Sequence, residues 1–161
     1  MKRHISVASL ALAVVAVLGL AGPAAAGEQV PFKGDLEGSY TRTGMFPFFH
    51  IEPTVEGQAT HLGKFTCFMP HDVNLLATPP GGTGKFEFTA ANGDTVYGTF
   101  DTHATPTDVP GVIFAVEQMT ISGGTGRFAN ASGSFITERL VDTVNLTTIG
   151  SFDGTISPPR S

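Results

Sequence analysis

The acidic residue best placed for chemistry is Glu117, because it stands inside the apolar run 112–121. A strand through this run puts Glu117 on the same face as Ile113 and Ile121. If that face is interior, Glu117 is either a general base in a cavity or the partner of Arg139. If both faces of the strand are in use, Glu117 lies at the rim in solvent. Glu117 is therefore the candidate catalytic residue, with these placements left open.

The histidines offer little metal chemistry. No two of them are separated by the two or four positions that repeat a ligand along a strand or helix. A site that combines His61 with His71 or His103 stays open as an alternative to ordinary barrel histidines. The Gly-x-Ser-x-Gly sequence that positions a nucleophilic serine is absent. We expect no metal and no cofactor.

A glycine-rich hexapeptide occurs twice, at 81–86 and 123–128, each copy ending in a cation and a phenylalanine. The second copy fits the G-x-G-x-x-A spacing of dinucleotide-binding turns, but that fingerprint requires a following helix, and 134–140 has the alternation of a strand. The first copy has Phe86 where a phosphate-binding loop needs a hydroxyl. Both copies are predicted to be turns whose phenylalanine enters the core, and nucleotide binding is excluded.

The elements that must position these residues are strands. Apolar and polar residues alternate in eight segments, and Asn92-Gly93 between two of them is typical of a tight hairpin turn. The predicted strands are 32–40, 54–61, 64–76, 85–90, 96–100, 112–122, 134–141 and 146–156. After residue 26, no segment of the sequence has a sustained helical pattern of apolar residues. We therefore predict an all-β domain, an eight-stranded antiparallel barrel of calycin-like architecture.

Two further features concern the interior of this barrel. The apolar segment 45–49 is either a plug folded over the barrel mouth or an exposed patch. Cys67 is the only cysteine, which excludes an intramolecular disulfide. Because free cysteines are among the most buried residues, we expect a packed core thiol rather than a nucleophile or an intermolecular bridge.

The first 26 residues are predicted to be a cleaved secretory signal peptide, with a basic start, an apolar stretch and an Ala24-Ala25-Ala26 ending. The alternative is an uncleaved anchor. Residues 27–161 would then form one domain, secreted or periplasmic. This part holds seven basic and fourteen acidic residues, because two of the nine basic residues belong to the leader. Such an acidic chain is a poor partner for nucleic acids or anionic lipids, and we expect no membrane partner after cleavage.

The second glycine motif in its context, Gly123-Gly124-Thr125-Gly126-Arg127-Phe128-Ala129-Asn130-Ala131-Ser132-Gly133, resembles a signature of the dirigent and allene oxide cyclase-like barrels. The segments 60–63 and 90–95 are also similar to secreted bacterial members of this group. The resemblance implies an eight-stranded barrel with a hydrophobic cavity, often in an oligomer. Its known members cyclise an unstable fatty-acid epoxide or steer the coupling of phenolic radicals, but none of their catalytic residues matches a position here.

Three functions follow from a barrel of this kind, which either fills its interior or holds one small ligand. The first is binding of a small hydrophobic or phenolic compound, and the second is a cofactor-free cyclase or isomerase. The third is a structural or interaction barrel with a filled core. Candidate ligand-binding residues are His61, Tyr40, Tyr97, Phe100 and Arg139, with plain core positions as the alternative for the aromatic ones. A homo-oligomer is possible under each function.

Overall fold

The structure, a computed structural model, describes residues 27–160, and the predicted leader 1–26 lies outside this part. The described chain is almost entirely antiparallel β-sheet, with one short 3-10 helix, Gly126–Phe128, after the seventh strand. The strands are β1 (Val30–Met45), β2 (Phe48–Ala59), β3 (Gly63–Phe68), β4 (His71–Asn74), β5 (Gly81–Ala90), β6 (Thr95–Pro106), β7 (Val112–Gly124), β8 (Gly133–Asp142) and β9 (Thr147–Ile156). Among residues 27–160 there is no helix of the length and apolarity needed to cross a membrane.

The sheet closes on itself because β1 pairs with both β2 and β9. β3 and β4 each pair with β2 on one side and β5 on the other, so these two short strands share one position in the ring. The result is a closed barrel of eight positions, and the predicted eight-stranded antiparallel barrel is confirmed. The predicted strand 64–76 is wrong in one detail, since it breaks between Phe68 and His71. Pro70 lies in that break and has no N–H to continue the ladder.

The barrel has two different ends. The closed end carries the connections 60–62, 91–94 and 125–132, and the open end carries 46–47, 75–80, 107–111 and 143–146. Phenylalanine rings fill the interior nearer the closed end, with Phe88 at their centre and five other rings whose centroids lie 4.8–6.0 Å from it. These rings belong to Phe32, Phe65, Phe86, Phe135 and Phe152.

Glycines opposite phenylalanines make room for these rings. In each pair, a glycine on one strand faces a phenylalanine in register on the neighbouring strand, and the ring or its stem lies where a Cβ on the glycine would be. The pairs are Gly34 with Phe152, Gly57 with Phe65, Gly84 with Phe100, Gly98 with Phe86, and Gly154 with Phe135. These glycines therefore determine where aromatic side chains fit in the barrel.

The two glycine hexapeptides differ in structure. The second forms the predicted turn: Gly126 has a φ of 55°, a Cβ there would overlap the carboxylate of Asp94, and Phe128 is buried. Arg127 Nε donates to Asp94 Oδ2 at 2.8 Å, which ties this turn to the β5–β6 hairpin. The prediction for the first copy is wrong, because Gly81–Phe86 lies within β5. Only its buried Phe86 is as expected.

The apolar segment 45–49 is an exposed patch rather than a plug. Met45 and Phe48 flank the β1–β2 connection and are 79% and 60% exposed, and Phe46 at its tip is also exposed. Cys67, by contrast, is buried in the core as expected. Burial raises the pKa of its thiol, which keeps it protonated and unreactive.

Candidate functional site

A cavity of about 240 Å³ occupies the barrel between the phenylalanine cluster and the open end. Most of its wall is apolar, formed by inward side chains from the open-end halves of the strands. The lining includes Phe49, Ile51, Pro53, Val73, Leu75, Pro80, Ala104, Ile113, Ala115 and Val141. Its polar members are Tyr40, Arg42, His71, Thr102, Arg139 and Thr143. Such a cavity, apolar with a few polar groups, is typical of sites for small organic ligands.

Arg139 and Glu117 form a buried ion pair on the closed-end side of this cavity. Arg139 is paired in register with Ala115, so that Glu117 on β7 is its diagonal neighbour across the two strands. The guanidinium Nε donates to Glu117 Oε2 at 3.1 Å, and Nη2 donates to Glu117 Oε1. Nη1 donates to Thr148 Oγ1 at 3.3 Å. Both charged side chains are almost completely excluded from solvent, and each neutralises the other.

Arg139 has N–H groups that are not used in hydrogen bonds within residues 27–160. A guanidinium carries five N–H groups, and three of them are used by Glu117 and Thr148. Arg139 also lines the cavity, whereas Glu117 does not and is fully buried. The cavity wall therefore includes the cation of the pair, which has two unused N–H groups, and does not include the anion.

His71 is a second polar residue of the cavity wall. Its Nδ1 lies 2.9 Å from the carbonyl oxygen of Met69, and because a carbonyl only accepts, Nδ1 carries the proton. Burial lowers the pKa of His71, more strongly than this hydrogen bond raises it, so the ring is neutral near pH 7. Nε2 then has a free lone pair, and within residues 27–160 it makes no hydrogen bond. The ring packs edge-on against Phe100, at 5.3 Å between centroids, which fixes its orientation.

Tyr40 is the third polar group of the wall. Its hydroxyl donates to the carbonyl oxygen of Asp142 at 3.2 Å, which holds the ring against the inner surface. Burial raises the pKa of Tyr40, so the phenol stays protonated at neutral pH. Arg42 lies nearer the open end, with its guanidinium 5.3 Å from the centre of the Phe49 ring.

One polar atom near the ion pair has no partner. Thr137 is in register with Glu117 and is almost completely buried, and its hydroxyl oxygen makes no hydrogen bond with residues 27–160. Leaving a hydroxyl in this state costs about 1–3 kcal/mol. The region around Glu117 is therefore polar but closely packed, unlike the apolar cavity wall above it.

The structure brings together two of the predicted ligand-binding residues, Tyr40 and Arg139, in one cavity. Phe100 is buried behind His71 and supports the wall rather than lining it. His61 is not in the cavity, because it lies exposed in the β2–β3 turn at the closed end, with a φ of 64°. Tyr97 is not there either: it lies on the outer surface, where its ring covers Gly123.

Glu117 takes the interior placement, as the partner of Arg139, and the expectation of a solvated rim carboxylate is wrong. His71 and Arg42 also line the cavity, and neither was predicted from the sequence as a ligand-binding residue. Arg42 could have been found from its spacing, since it is two positions beyond Tyr40 on the same strand face. His71 could not, because the break at Pro70 resets the alternation between β3 and β4.

The described residues give no sign of a metal centre. Within residues 27–160, no three side chains of the histidine, cysteine, aspartate or glutamate type lie close enough together to hold an ion. The alternative of a site between His61 and His71 also fails on placement, since His61 belongs to the closed end and His71 to the cavity.

Comparison of the chain with protein-family models gave no match, and comparison with curated proteins gave no significant match. The function is therefore argued from the cavity and its polar groups.

Proposed function

We propose that this protein is an exported binding protein that holds one small, largely apolar molecule in its barrel cavity. The observation that carries the proposal is an apolar cavity whose wall includes Arg139, a cation with two N–H groups that make no hydrogen bond within residues 27–160. An apolar wall supplies affinity through burial, and a few convergent polar groups fix the orientation of a ligand.

The charges beside Arg139 favour a neutral group of the ligand at that point. Glu117 already neutralises Arg139, so a carboxylate placed against this pair would add an unbalanced negative charge to a poorly hydrated space, whereas the Arg42 cation lies nearer the open end. A carbonyl, ether or phenolic oxygen can accept from Arg139 without this cost. A hydroxyl on the ligand can donate to Nε2 of the neutral His71. The ligand class that fits is an apolar molecule with one acceptor and one hydroxyl group, such as a phenol with a second oxygen.

The structure favours a binding function over an enzymatic one in which Glu117 transfers a proton. This carboxylate does not line the cavity, and both of its oxygens accept hydrogen bonds from Arg139. A general base must come within hydrogen-bonding reach of the proton it removes. The cavity also disfavours the third possibility, a barrel whose interior is completely filled.

Membership of the dirigent and allene oxide cyclase-like group is part of the same proposal. It is supported by the glycine-rich sequence 123–133 and by the eight-position barrel. Export is supported by the predicted leader 1–26.

A fluorescent probe and a blocked cavity test the proposal. N-phenyl-1-naphthylamine, a neutral apolar dye, is titrated into the purified protein, and we expect saturable binding with one dye per chain. Ala104 lies on the cavity wall, so Ala104→Phe should fill the space and abolish binding. Thr105→Phe places the same ring on the exposed outer face of β6 and is the matched control. Equal dye binding by both variants would refute the cavity as the site.

Native mass spectrometry of the protein purified from its host complements this experiment. A retained small molecule in the unmodified protein, absent from Ala104→Phe, supports the proposal and gives the ligand mass. If a Glu117→Gln variant has the same activity as the unmodified protein in every assayed reaction, that result would agree with the binding role.

A further inference from the structure

The four connections of the open end each expose a large apolar side chain. These residues are Phe46 (68% exposed), Leu76 (66%), Val109 (58%) and Val144 (75%), and Met45 and Phe48 flank the first of them. We call these six residues the apolar rim. They are contributed by four separate connections and surround the mouth of the cavity, whose wall includes Leu75, Pro80 and Thr143 from the same connections.

The closed end shows the opposite pattern. The large apolar side chains of its connections, Leu62 and Phe128, are both buried. The closed-end connections thus bury their large apolar side chains, as is usual for solvated turns. Each open-end connection, in contrast, exposes a large apolar side chain to water. An exposed apolar surface of this extent is typical of a binding surface.

Charge indicates which partner fits the rim. The four open-end connections contain one charged residue, Asp108. Asp142 lies beside them, but its carboxylate accepts hydrogen bonds from the backbone N–H groups of Val144 and Asn145 and from the Asn145 side chain. The charged residues of the acidic chain lie mainly along the outer walls of the strands. Apart from Asp108 and from Arg42 in the cavity wall, this end is apolar, and on an acidic protein such an end is complementary to a neutral lipid interface and poorly suited to an anionic one.

A second copy of the chain fits less well. Two copies that met through the rim would close both cavity mouths, and the apolar groups stand on separate connections around an opening rather than on one flat face. A lipid interface, being soft, can accept side chains that project from a ring of connections.

We propose that the apolar rim inserts into the interface of a neutral, zwitterionic lipid surface, with the cavity mouth facing the lipid. The acidic composition that argued against a membrane partner applies to anionic surfaces and leaves this one open. In this orientation an apolar molecule can pass between lipid and cavity without crossing water. The docking itself depends on the rim alone, so it stands or falls separately from the proposed ligand binding.

Flotation with phosphatidylcholine vesicles tests the inference. The N-terminus of each purified protein is read by mass spectrometry, so that the apolar stretch 5–22 is either absent or the same in all samples. We expect the unmodified protein to float with the vesicles, and replacement of a quarter of the lipid by phosphatidylserine to leave binding equal or weaker. A double variant, Phe46→Ser with Phe48→Ser, should bind at least about tenfold more weakly, since each ring loses its burial in the interface.

The matched control is a double variant on the outer wall, Ile136→Ser with Ile149→Ser, whose side chains are also about half exposed. It should bind vesicles like the unmodified protein. Ala104→Phe should also bind vesicles like the unmodified protein, even if it does not bind the dye. This result would separate the test of the rim from the test of the cavity. The inference is overturned if the unmodified protein does not float, or if the wall variant loses as much binding as the rim variant. It is overturned equally if native mass spectrometry shows a dimer that only the rim substitutions dissociate, because the rim is then covered by a second copy.

Discussion

Removing one member of the Glu117–Arg139 pair should destabilise the barrel far more than removing both. Glu117 is 0% exposed and Arg139 is 4% exposed. The substitution Glu117→Leu leaves a guanidinium in the interior with Thr148 as its remaining acceptor, and Arg139→Met leaves a carboxylate without any of its donors. Breaking a buried pair in this way costs about 3–5 kcal/mol. The double substitution removes both charges and leaves side chains of similar volume, so it should be neutral or stabilising by about 1–4 kcal/mol.

The assay is urea unfolding followed by far-ultraviolet circular dichroism. For a domain whose free energy of unfolding falls by about 2 kcal/mol per molar urea, a loss of 4 kcal/mol moves the midpoint down by about 2 M. The three variants and the unmodified protein form a double-mutant cycle, in which the coupling energy should be several kcal/mol. If the free energy of unfolding of each single variant falls by less than about 1 kcal/mol, water reaches the pair and the part of the cavity beside Arg139 is hydrated. That result would remove the argument for a neutral ligand.

Three other outcomes follow from the structure. Phe88→Ala should lower the free energy of unfolding by about 3–5 kcal/mol, because five rings surround the space it leaves; a loss below 1 kcal/mol in urea unfolding would show that the cluster collapses freely. Gly57→Ala should lower the free energy of unfolding by about 3 kcal/mol, since the added Cβ overlaps a carbonyl oxygen of β1 and lies 2.9 Å from a phenylalanine ring. In Gly93→Ala the added Cβ meets open space, so only the positive φ should cost about 1 kcal/mol. The reverse order of melting temperatures would contradict this reasoning. Because burial lowers the pKa of His71, the unfolded chain binds its proton more tightly, and stability should fall as the pH drops below about 6.5. His71→Gln should remove that part of the pH profile, while His50→Gln should remove one of opposite sign, because its hydrogen bond to Asp72 raises the pKa of His50.

The strands were largely predictable because they follow from the local alternation of apolar and polar residues. Every second residue is buried from 115 to 123 in β7 and from 135 to 139 in β8. In the first part of β1, positions 32, 36 and 40 are buried and the glycines between them are half-buried, so the period of two that identifies a half-buried strand is kept there too. The turn at Gly126 was also predictable, since the glycine cluster allows a positive φ and Phe128 follows it. The first hexapeptide shows the limit of this reasoning. The same residues at 81–84 continue a strand, because register with β4 and β6 decides their conformation.

The candidate site was predictable only in part. Tyr40 and Arg139 were identified because both lie at inward positions of strands that alternate regularly. Tyr97 was misplaced although alternation along β6 puts it on the outer face, between the inward positions Val96 and Gly98. His61 was misplaced because β2 ends at Ala59 and the histidine belongs to the turn. The end of a strand is the feature that alternation alone does not reveal.

By itself, the sequence determined that Glu117 lies on an apolar face and that the domain is a series of β-strands, because both depend on residues close together in the chain, whereas closure of the barrel depends on pairing between β1 and β9. Only the tertiary structure decided that Glu117 meets Arg139, that phenylalanines fill one end and that a cavity remains at the other. Pairing across β7 and β8 depends on register between distant segments, and one step in register would turn either side chain to the opposite face. Whether a barrel is hollow depends on the summed volume of all its inward side chains, including the glycines that face the phenylalanines.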